Sequence, residues 1–283
     1  MPTNKTLKVA TCQFAVGSDI QRNSRQIQKQ ILSAQVLGAE VVHFSECALG
    51  GYAGVAFTSW KKYDWDTLHH ETEKICQLAK KTKLWIILGS NHRLTGSHLP
   101  HNSLYVISPK GEIVERYDKR FCTEDDLKYY TSGNHFPVVK IKGVLCGLLI
   151  CYDLRFPELY RAYQKLGVRC IFDSFHNARK EGPTIHTTIM RPSLQAHASA
   201  NYMWISAPNS SGYYQLWQSV FILPNGVIAK SLTRHKAGVM VNTIDLDESF
   251  YDASAPFRKD AIKGKLYSGK LVRDKRSRDK TIY

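Results

Sequence analysis

A cysteine at the end of a short apolar segment is the first residue in this sequence with the setting of a nucleophile. Cys151 directly follows Val144–Ile150, whose lack of polar alternation is typical of a strand buried on both faces. Pro157 and Glu158, a little further on, favour the start of a helix. Unpaired backbone N–H groups at a helix start favour a thiolate or an oxyanion. A buried structural cysteine would fit this segment as well.

Two charged residues occupy similar positions after other predicted strands. Glu46 follows the strand predicted at 41–44, and Lys119 follows the one predicted at 112–117. Functional groups of α/β proteins collect at the carboxyl ends of strands, so these residues could meet Cys151 there. The glutamate would take the thiol proton, and later help to protonate a leaving nitrogen or activate water.

The lysine of this set should act on the charge of the cysteine. An ammonium about 4 Å from a thiolate, at an effective dielectric constant near 20, gains roughly 4 kcal/mol, or about 3 pKa units. We therefore expect Lys119 to lower the pKa of the Cys151 thiol from about 8.5 to well below neutral. Spacing along the chain leaves open whether the three side chains meet.

Length and composition predict a folded α/β protein. The chain has 283 residues, of which 43% are hydrophobic and 11% aromatic, enough for a large core and too apolar for a disordered chain. No apolar segment approaches the roughly 20 residues that cross a bilayer, so no membrane partner is expected. The first residues lack the apolar centre of a signal peptide, which favours a cytoplasmic location.

Cysteine spacing and charge exclude several other classes. Seven cysteines are widely spaced, without paired or zinc-binding spacing, so neither a disulfide framework nor a metal site is predicted. The formal charge of +15 could indicate a nucleic-acid partner. However, +7 of it lies in the last 29 residues, where ten Lys or Arg stand against three Asp or Glu. A solvated basic extension is expected, and nucleic-acid binding is the weaker alternative.

Strands and helices alternate along most of the chain. Predicted strands cover 7–14, 41–44, 84–89, 103–107, 112–117, 138–150, 170–173, 203–207, 221–223, 227–229 and 238–244, and predicted helices cover 19–39, 66–83, 157–166 and 193–201. This alternation favours buried sheets covered by helices. We predict one domain over 1–254, followed by a basic C-terminal extension over 255–283.

Several short motifs in this order resemble the nitrilase superfamily of carbon–nitrogen hydrolases, from Val9 to Ile244. The stretches that carry the resemblance are Phe44-Ser45-Glu46 with Gly51-Tyr52, His101-Asn102-Ser103-Leu104-Tyr105, Tyr117-Asp118-Lys119, Cys146-Gly147-Leu148-Leu149-Ile150-Cys151-Tyr152-Asp153 with Arg155-Phe156-Pro157-Glu158, and Gln195-Ala196 with Asn201. The resemblance implies that Glu46 is the general base, Lys119 the oxyanion stabiliser and Cys151 the nucleophile. The backbone N–H of Tyr152 would complete the oxyanion hole.

The resemblance also implies an architecture and a reaction. The expected fold is an α/β four-layer αββα sandwich, and the expected intermediate is an acyl-thioester, with no metal or organic cofactor. Members form homodimers or larger homo-oligomers, in which a C-terminal extension often reaches a partner subunit. The residues after Cys151 resemble the amidase branches, which favours a small linear amide substrate over a nitrile, with carbamoyl compounds third. A catalytically silent binding protein is the alternative.

Three positions depart from the family pattern. Asp126 stands where many relatives have a second glutamate, so it is an expected fourth catalytic residue, although its side chain is one methylene shorter and has less reach to Lys119. His197 stands where many relatives have arginine. The segment after the strand at 170–173 also differs, and such segments line the pocket in the family. The residues expected to bind substrate are Tyr52, Tyr152, His176, Asn177 and Arg179.

Overall fold

The computed structural model describes residues 6–177, 182 and 184–277. Its strands are β1 Thr6–Gln13, β2 Val41–His43, β3 Trp85–His92, β4 His101–Ile107, β5 Ile113–Asp118, β6 Val139–Ile141, β7 Val144–Ile150, β8 Cys170–Ser174, β9 Trp204–Ala207, β10 Val220–Ile222, β11 Ile228–Ser231 and β12 Gly238–Asp245. Its α-helices are α1 Ile20–Val36, α2 Trp65–Thr82, α3 Pro157–Lys165, α4 Ile185–Asn201 and α5 Ala255–Ile262.

The strands form two mixed sheets. The first has the order β12-β1-β2-β3-β4-β5 and the second the order β11-β10-β9-β8-β7-β6. In the first sheet β2 pairs in parallel with β1 and β3, and in the second β8 pairs in parallel with β7 and β9. Glu46 follows the carboxyl end of β2, and His176 follows the carboxyl end of β8.

The first sheet separates two apolar layers because its side chains alternate between faces. In β2 and β3, Val41 and Ile87 belong to the core that the two sheets share. Their neighbours Val42 and Ile86 pack instead in a cluster with residues of α1 and α2. The helices α1 and α2 therefore cover the outer face of this sheet.

The second sheet is covered by α3 and α4. The ring of Tyr163 on α3 lies so close to Gly147 on β7 that an added Cβ would be 2.7 Å from it. The helix α4 contacts β9 and β10, and it also packs against α3. The layer order is helices, sheet, sheet and helices, which confirms the predicted αββα sandwich.

A buried polar cluster joins the two sheets. The imidazole of His43 shares hydrogen bonds with the hydroxyls of Ser206 (2.9 Å) and Ser174 (2.8 Å), and Thr11 bonds Ser206 at 2.8 Å. Ser174 also donates to the carbonyl of Phe44 at 2.8 Å. Burial lowers the pKa of His43 well below its usual value, so the ring is neutral. The cluster fixes the end of β2 against the end of β8.

The helix α4 begins well before residue 193, where the apolar spacing predicted its start. Pro192 lies inside the helix, where a missing N–H and a ring clash normally disfavour proline. The helix begins at Ile185, after a cap at Thr184 whose backbone N–H donates to the Thr187 hydroxyl at 3.3 Å. That local capping is independent of apolar spacing.

The described residues after Phe250 form a second unit, beginning at Tyr251. It contains α5 and is held by ion pairs of Arg258 with Asp252 and of Lys265 with Asp260. The domain boundary between 254 and 255 remains a prediction. Within the part of the chain that the structure describes, no helix is both long and apolar enough to span a bilayer.

Candidate active site

Cys151 lies at a sharp turn at the end of β7. Its φ angle is 49°, a left-handed conformation that is uncommon for a residue with a Cβ. The chain then forms a short 3₁₀ turn, Cys151–Arg155, and α3 begins only at Pro157. Cys151 therefore follows the strand directly, as predicted, and the predicted helix starts at Pro157 after this intervening turn. The turn places Cys151 at the wall of a cavity.

Asp153 holds this turn in place. Its carboxylate accepts hydrogen bonds from the backbone N–H of Ile150 (3.0 Å), the backbone N–H of Phe121 (2.9 Å) and the hydroxyl of Tyr117 (2.7 Å). These donors come from the end of β7, the segment after Lys119 and the end of β5. Burial raises the pKa of Asp153 to about 6. The residue therefore ties the cysteine turn to the chain segment that carries the lysine.

Lys119 lies between two carboxylates. Its Nζ donates to Oε1 of Glu46 at 2.9 Å and to Oδ2 of Asp126 at 2.8 Å, and all three side chains are almost fully buried. Burial opposes the charge, but Glu46 and the other negative groups outweigh it and raise the pKa of Lys119 well above its usual value. An ammonium has three N–H donors, so one remains after these two bonds.

Both carboxylate oxygens of Glu46 are positioned by hydrogen bonds. Oε1 also accepts from the side-chain amide of Asn102 at 2.7 Å, and Oε2 accepts from the backbone N–H of His176 at 2.9 Å. Burial raises the pKa of Glu46 above its usual value, although Lys119 pulls it down. A fixed carboxylate with raised basicity is suited to accept a proton.

Two glycines allow the backbone to approach the segments that carry Glu46 and Lys119. A Cβ at Gly89 would lie 2.1 Å from the backbone oxygen of Ser45 and 2.8 Å from the backbone nitrogen of Cys47. A Cβ at Gly133 would lie 2.4 Å from Cβ of Asp118. Only glycine leaves room at these positions.

Asp126 reaches Lys119 despite its shorter side chain. It begins a short 3₁₀ turn, Asp126–Lys128, and accepts from the backbone N–H of Thr123 at 3.0 Å and from the hydroxyl of Tyr52. Burial would raise its pKa, but Lys119 and these donors outweigh burial and lower it. Asp126 is therefore held as a carboxylate beside the ammonium.

The thiol of Cys151 does not have the predicted low pKa. Burial, followed by the charge of Glu46, raises its pKa well above the usual value, and Lys119 offsets only part of this rise. The expected shift below neutral was therefore wrong, because it counted one cation and neither the desolvation nor the two carboxylates. The resting cysteine is a thiol that must lose its proton when it reacts.

Most of the predicted site residues line one cavity of about 530 Å³. The predicted residues that line it are Tyr52, Lys119, Asp126, Cys151, Tyr152, His176 and Asn177. Glu46 lies behind this wall, in contact with Lys119. Arg179 lies outside the described residues. No group of three or more His, Cys, Asp or Glu in the described part of the chain is arranged to hold a metal ion.

Sequence reasoning missed three residues of the site. Asn102 bonds Glu46, Asp153 supports the cysteine turn, and Arg155 lines the cavity. Each lies inside a quoted motif, so its neighbourhood was available. The signal that could have found them is a polar side chain near a strand end, the same signal that identifies Glu46, Lys119 and Cys151.

Comparison with known proteins identifies a matching family and several relatives. A family model described as carbon-nitrogen hydrolase matches residues 8–249. Nitrilase homolog 2 of Dictyostelium discoideum is 27% identical over 261 residues, covering 86% of this chain and 76% of that protein. A chloroplastic omega-amidase of Arabidopsis thaliana is 26% identical over 263 residues, covering 86% and 69%.

The fold also matches solved structures. A mutant of the Nesterenkonia AN1 amidase, from the nitrilase superfamily, superposes with a TM-score of 0.76 at 20% identity, covering 90% of this chain and 93% of that one. At that identity the likeness concerns the fold. The two mixed sheets flanked by helices are therefore an arrangement that this amidase shares.

Proposed function

The chain belongs to the carbon–nitrogen hydrolase family, and on that premise we propose that it hydrolyses a small linear amide through an acyl-thioester on Cys151. One observation carries this proposal. The ammonium of Lys119 is fixed between the carboxylates of Glu46 and Asp126, at the wall of the cavity that Cys151 also lines. A nucleophile, a base and a cation thus surround one space large enough for a small substrate.

The first half of the reaction forms the thioester. The thiol proton of Cys151 passes to Glu46 while sulfur bonds to the carbonyl carbon and the carbonyl electrons move to oxygen. The remaining N–H of Lys119 and the backbone N–H of Tyr152 stabilise this oxyanion. The carbon–nitrogen bond then breaks, and the nitrogen leaves with the proton held by Glu46.

The second half releases the acid. Water gives a proton to Glu46 and attacks the thioester carbon, and the same two N–H donors stabilise the second oxyanion. The carbon–sulfur bond breaks and sulfur recovers a proton from Glu46, leaving a carboxylic acid and the free thiol. The raised pKa of Glu46 supports this role, because the residue must both take and return a proton.

Arg155 favours amides that carry a second, anionic group. Its side chain lines the cavity, and it has no ion pair with any of the residues that the structure describes. Curated relatives include an omega-amidase and a 2-oxoglutaramate amidase, which supports the amide class. Nitrile and carbamoyl substrates, or a catalytically silent binding role, remain the alternatives to this proposal.

The decisive experiment is a cysteine replacement with a matched control. Cys151→Ala should reduce the release of ammonia or amine from any amide that the parent cleaves by at least about a thousandfold. Cys76→Ala, at a half-buried cysteine on α2, should leave the rate near that of the parent. Quenched reactions should carry the acyl mass on Cys151.

Three results would contradict the proposal in whole or in part. Retained ammonia release by Cys151→Ala would exclude the thioester. A parent that hydrolyses no amide and forms no acyl adduct on Cys151 would favour the silent binding role. A carbamoyl or nitrile substrate that outcompetes every amide would keep the mechanism but change the substrate class.

We also infer that the protein acts in the cytoplasm as a homodimer or larger homo-oligomer. The described basic unit after Tyr251 supports an assembly, since Leu266, Leu271 and Val272 are exposed on it. Light scattering on the full-length protein tests this inference. A monomer at micromolar concentration would contradict it.

A further inference from the structure

His176 and Asn177, shortly after β8, line the cavity, and their backbone N–H groups are held by hydrogen bonds. The backbone N–H of His176 donates to Glu46 at 2.9 Å, and that of Asn177 donates to Oδ1 of Asn209 at 3.1 Å. Asn209 is in turn fixed, because its side-chain amide donates to the carbonyl of Trp217 at 2.7 Å. The backbone of this wall is therefore already satisfied by the protein.

The side chains of the same two residues are not satisfied. His176 is 6% exposed and Asn177 is 8% exposed, and both line the cavity. Among the residues that the structure describes, Nδ1 of His176 and Oδ1 of Asn177 have no hydrogen-bond partner. Buried polar atoms are usually paired, and these two belong to successive residues that line the cavity, where a ligand can supply the missing partners.

The ring of His176 is held so that only its edge is available. It stacks on Tyr52 with ring centroids 5.2 Å apart and planes 3° apart, and the Tyr52 hydroxyl donates to Asp126. Burial, followed by the charge of Lys119, lowers the pKa of His176 to about 4. The imidazole is neutral at neutral pH, so it can donate one hydrogen bond and accept another, but it cannot attract an anion.

We propose that His176 and Asn177 recognise a hydroxyl or an N–H group on the acyl chain of the substrate. The amide oxygen of Asn177 accepts the hydrogen bond, and Nδ1 of His176 makes a second one to the same group. The inference rests on the proposed function, since the ligand is the amide that reacts in this cavity. It adds a second feature of the substrate to the anionic group that Arg155 favours, namely a hydroxyl or N–H group near the carbonyl.

Matched ligand pairs test the recognition without turnover. In the Cys151→Ala background, calorimetry should give dissociation constants for propanamide, 2-hydroxypropanamide and 3-hydroxypropanamide. At least one hydroxylated amide should bind about tenfold more tightly than propanamide, since one buried hydrogen bond is worth roughly a factor of ten. Equal affinities for all three would overturn the proposal.

Wall variants assign the preference to the two residues. Asn177→Leu should abolish the preference, whereas Asn177→Asp should retain it, because a carboxylate still accepts from the hydroxyl. His176→Phe keeps the stacking on Tyr52 and should weaken the preference. Val55→Ala, at an apolar residue of the same cavity, should leave it unchanged. A preference that survives Asn177→Leu and His176→Phe together would overturn the assignment.

This test distinguishes failure of the proposed function from failure of the proposed recognition. If the parent cleaves no amide yet the Cys151→Ala protein still discriminates between the ligands, the proposed function fails while the recognition holds. If the parent cleaves propanamide and both hydroxylated amides equally well, with equal affinities, the proposed function holds and the recognition fails.

Discussion

At the scale of single residues, the site carries more negative than positive charge around its reacting sulfur. Lys119 is one cation against the carboxylates of Glu46 and Asp126, and both carboxylates raise the pKa of the Cys151 thiol. A thiolate would add a further negative charge. The arrangement therefore favours a neutral thiol at rest and proton transfer during attack, with Glu46 as the acceptor.

Replacement of Asp126 tests this charge balance. Asp126→Asn keeps an oxygen that can accept from Lys119 but removes a charge that raises the pKa of Glu46. The acid limb of the kcat/KM profile, which reports deprotonation of Glu46, should move to lower pH, and kcat should fall on the order of tenfold because a neutral oxygen holds Lys119 less firmly than a carboxylate. Asp125→Asn is the control, because that carboxylate is 87% exposed. An unmoved acid limb would contradict this role.

Arg155 gives a second prediction at this scale. Arg155→Gln should raise KM about tenfold for an amide that carries a carboxylate and leave KM for a neutral amide of equal length unchanged. Lys128→Gln is a matched control, since Lys128 also lines the cavity but is paired with Asp125 at 2.6 Å. Steady-state kinetics with both substrates measure the effect. An equal rise for both amides would exclude recognition of the anion.

At the scale of elements, strand ends were predictable from sequence and turns were not. The apolar runs of β2 and β7 place Glu46 and Cys151 just after their ends, and the antiparallel pair of β4 and β5 leads into Lys119. Such runs are visible in a single sequence because burial on both faces demands them. The turns that aim these residues depend on distant contacts, such as the bonds that Asp153 makes to Tyr117 and Phe121.

The pKa values and contacts of the site residues were harder to predict than the identity of those residues. The pKa of Cys151 depends on how completely the surrounding segments exclude water, and sequence spacing contains no measure of that. The contacts of Asp126 with Lys119 and Tyr52 likewise depend on a short turn in a segment that reads as a polar loop. Charge and burial at a site are properties of tertiary packing.

The close approach at Gly89 gives a prediction for the strand that supports Glu46. Gly89→Ala places a Cβ against the backbone of Ser45 and Cys47, which cannot move without moving Glu46. We expect kcat to fall roughly a hundredfold, because small displacements of a catalytic group are costly. Circular dichroism and kinetics measure fold and activity together.

A second glycine provides the control for this variant. Gly17→Ala meets nothing within 4 Å, so its activity should stay near that of the parent. A folded Gly89→Ala protein with full activity would show that the segment at Ser45 tolerates displacement. It would also weaken the view that β3 positions the base.

At the scale of the whole molecule, stability depends on buried ionisable groups with opposite responses to pH. Burial lowers the pKa of His43 and raises that of Asp153 and Asp173, so protonation destabilises the folded state at the first and stabilises it at the other two. The pH dependence of the unfolding free energy is therefore a sum of contributions of opposite sign. A single group must be isolated by comparing slopes between the parent and a variant.

His43 allows that comparison. An unfolded chain binds a proton at this histidine below about pH 6.5. The folded protein resists protonation there, because burial removes the ring from water and lowers its pKa. The contribution to stability is complete above that pH and is lost as pH falls toward the lowered pKa. In urea unfolding between pH 7.5 and 5, His43→Gln should therefore flatten the fall of the unfolding free energy by up to about 1.4 kcal/mol per pH unit.

An exposed histidine separates this effect from a general one. His69, whose side chain is 77% exposed on α2, serves as the matched position, and His69→Gln should keep the slope of the parent. His43→Gln should also lower the unfolding free energy at pH 7.5, since Ser206 and Ser174 lose their common partner. If its slope equals that of the parent, the neutral imidazole between the two sheets does not contribute to the acid sensitivity of the fold.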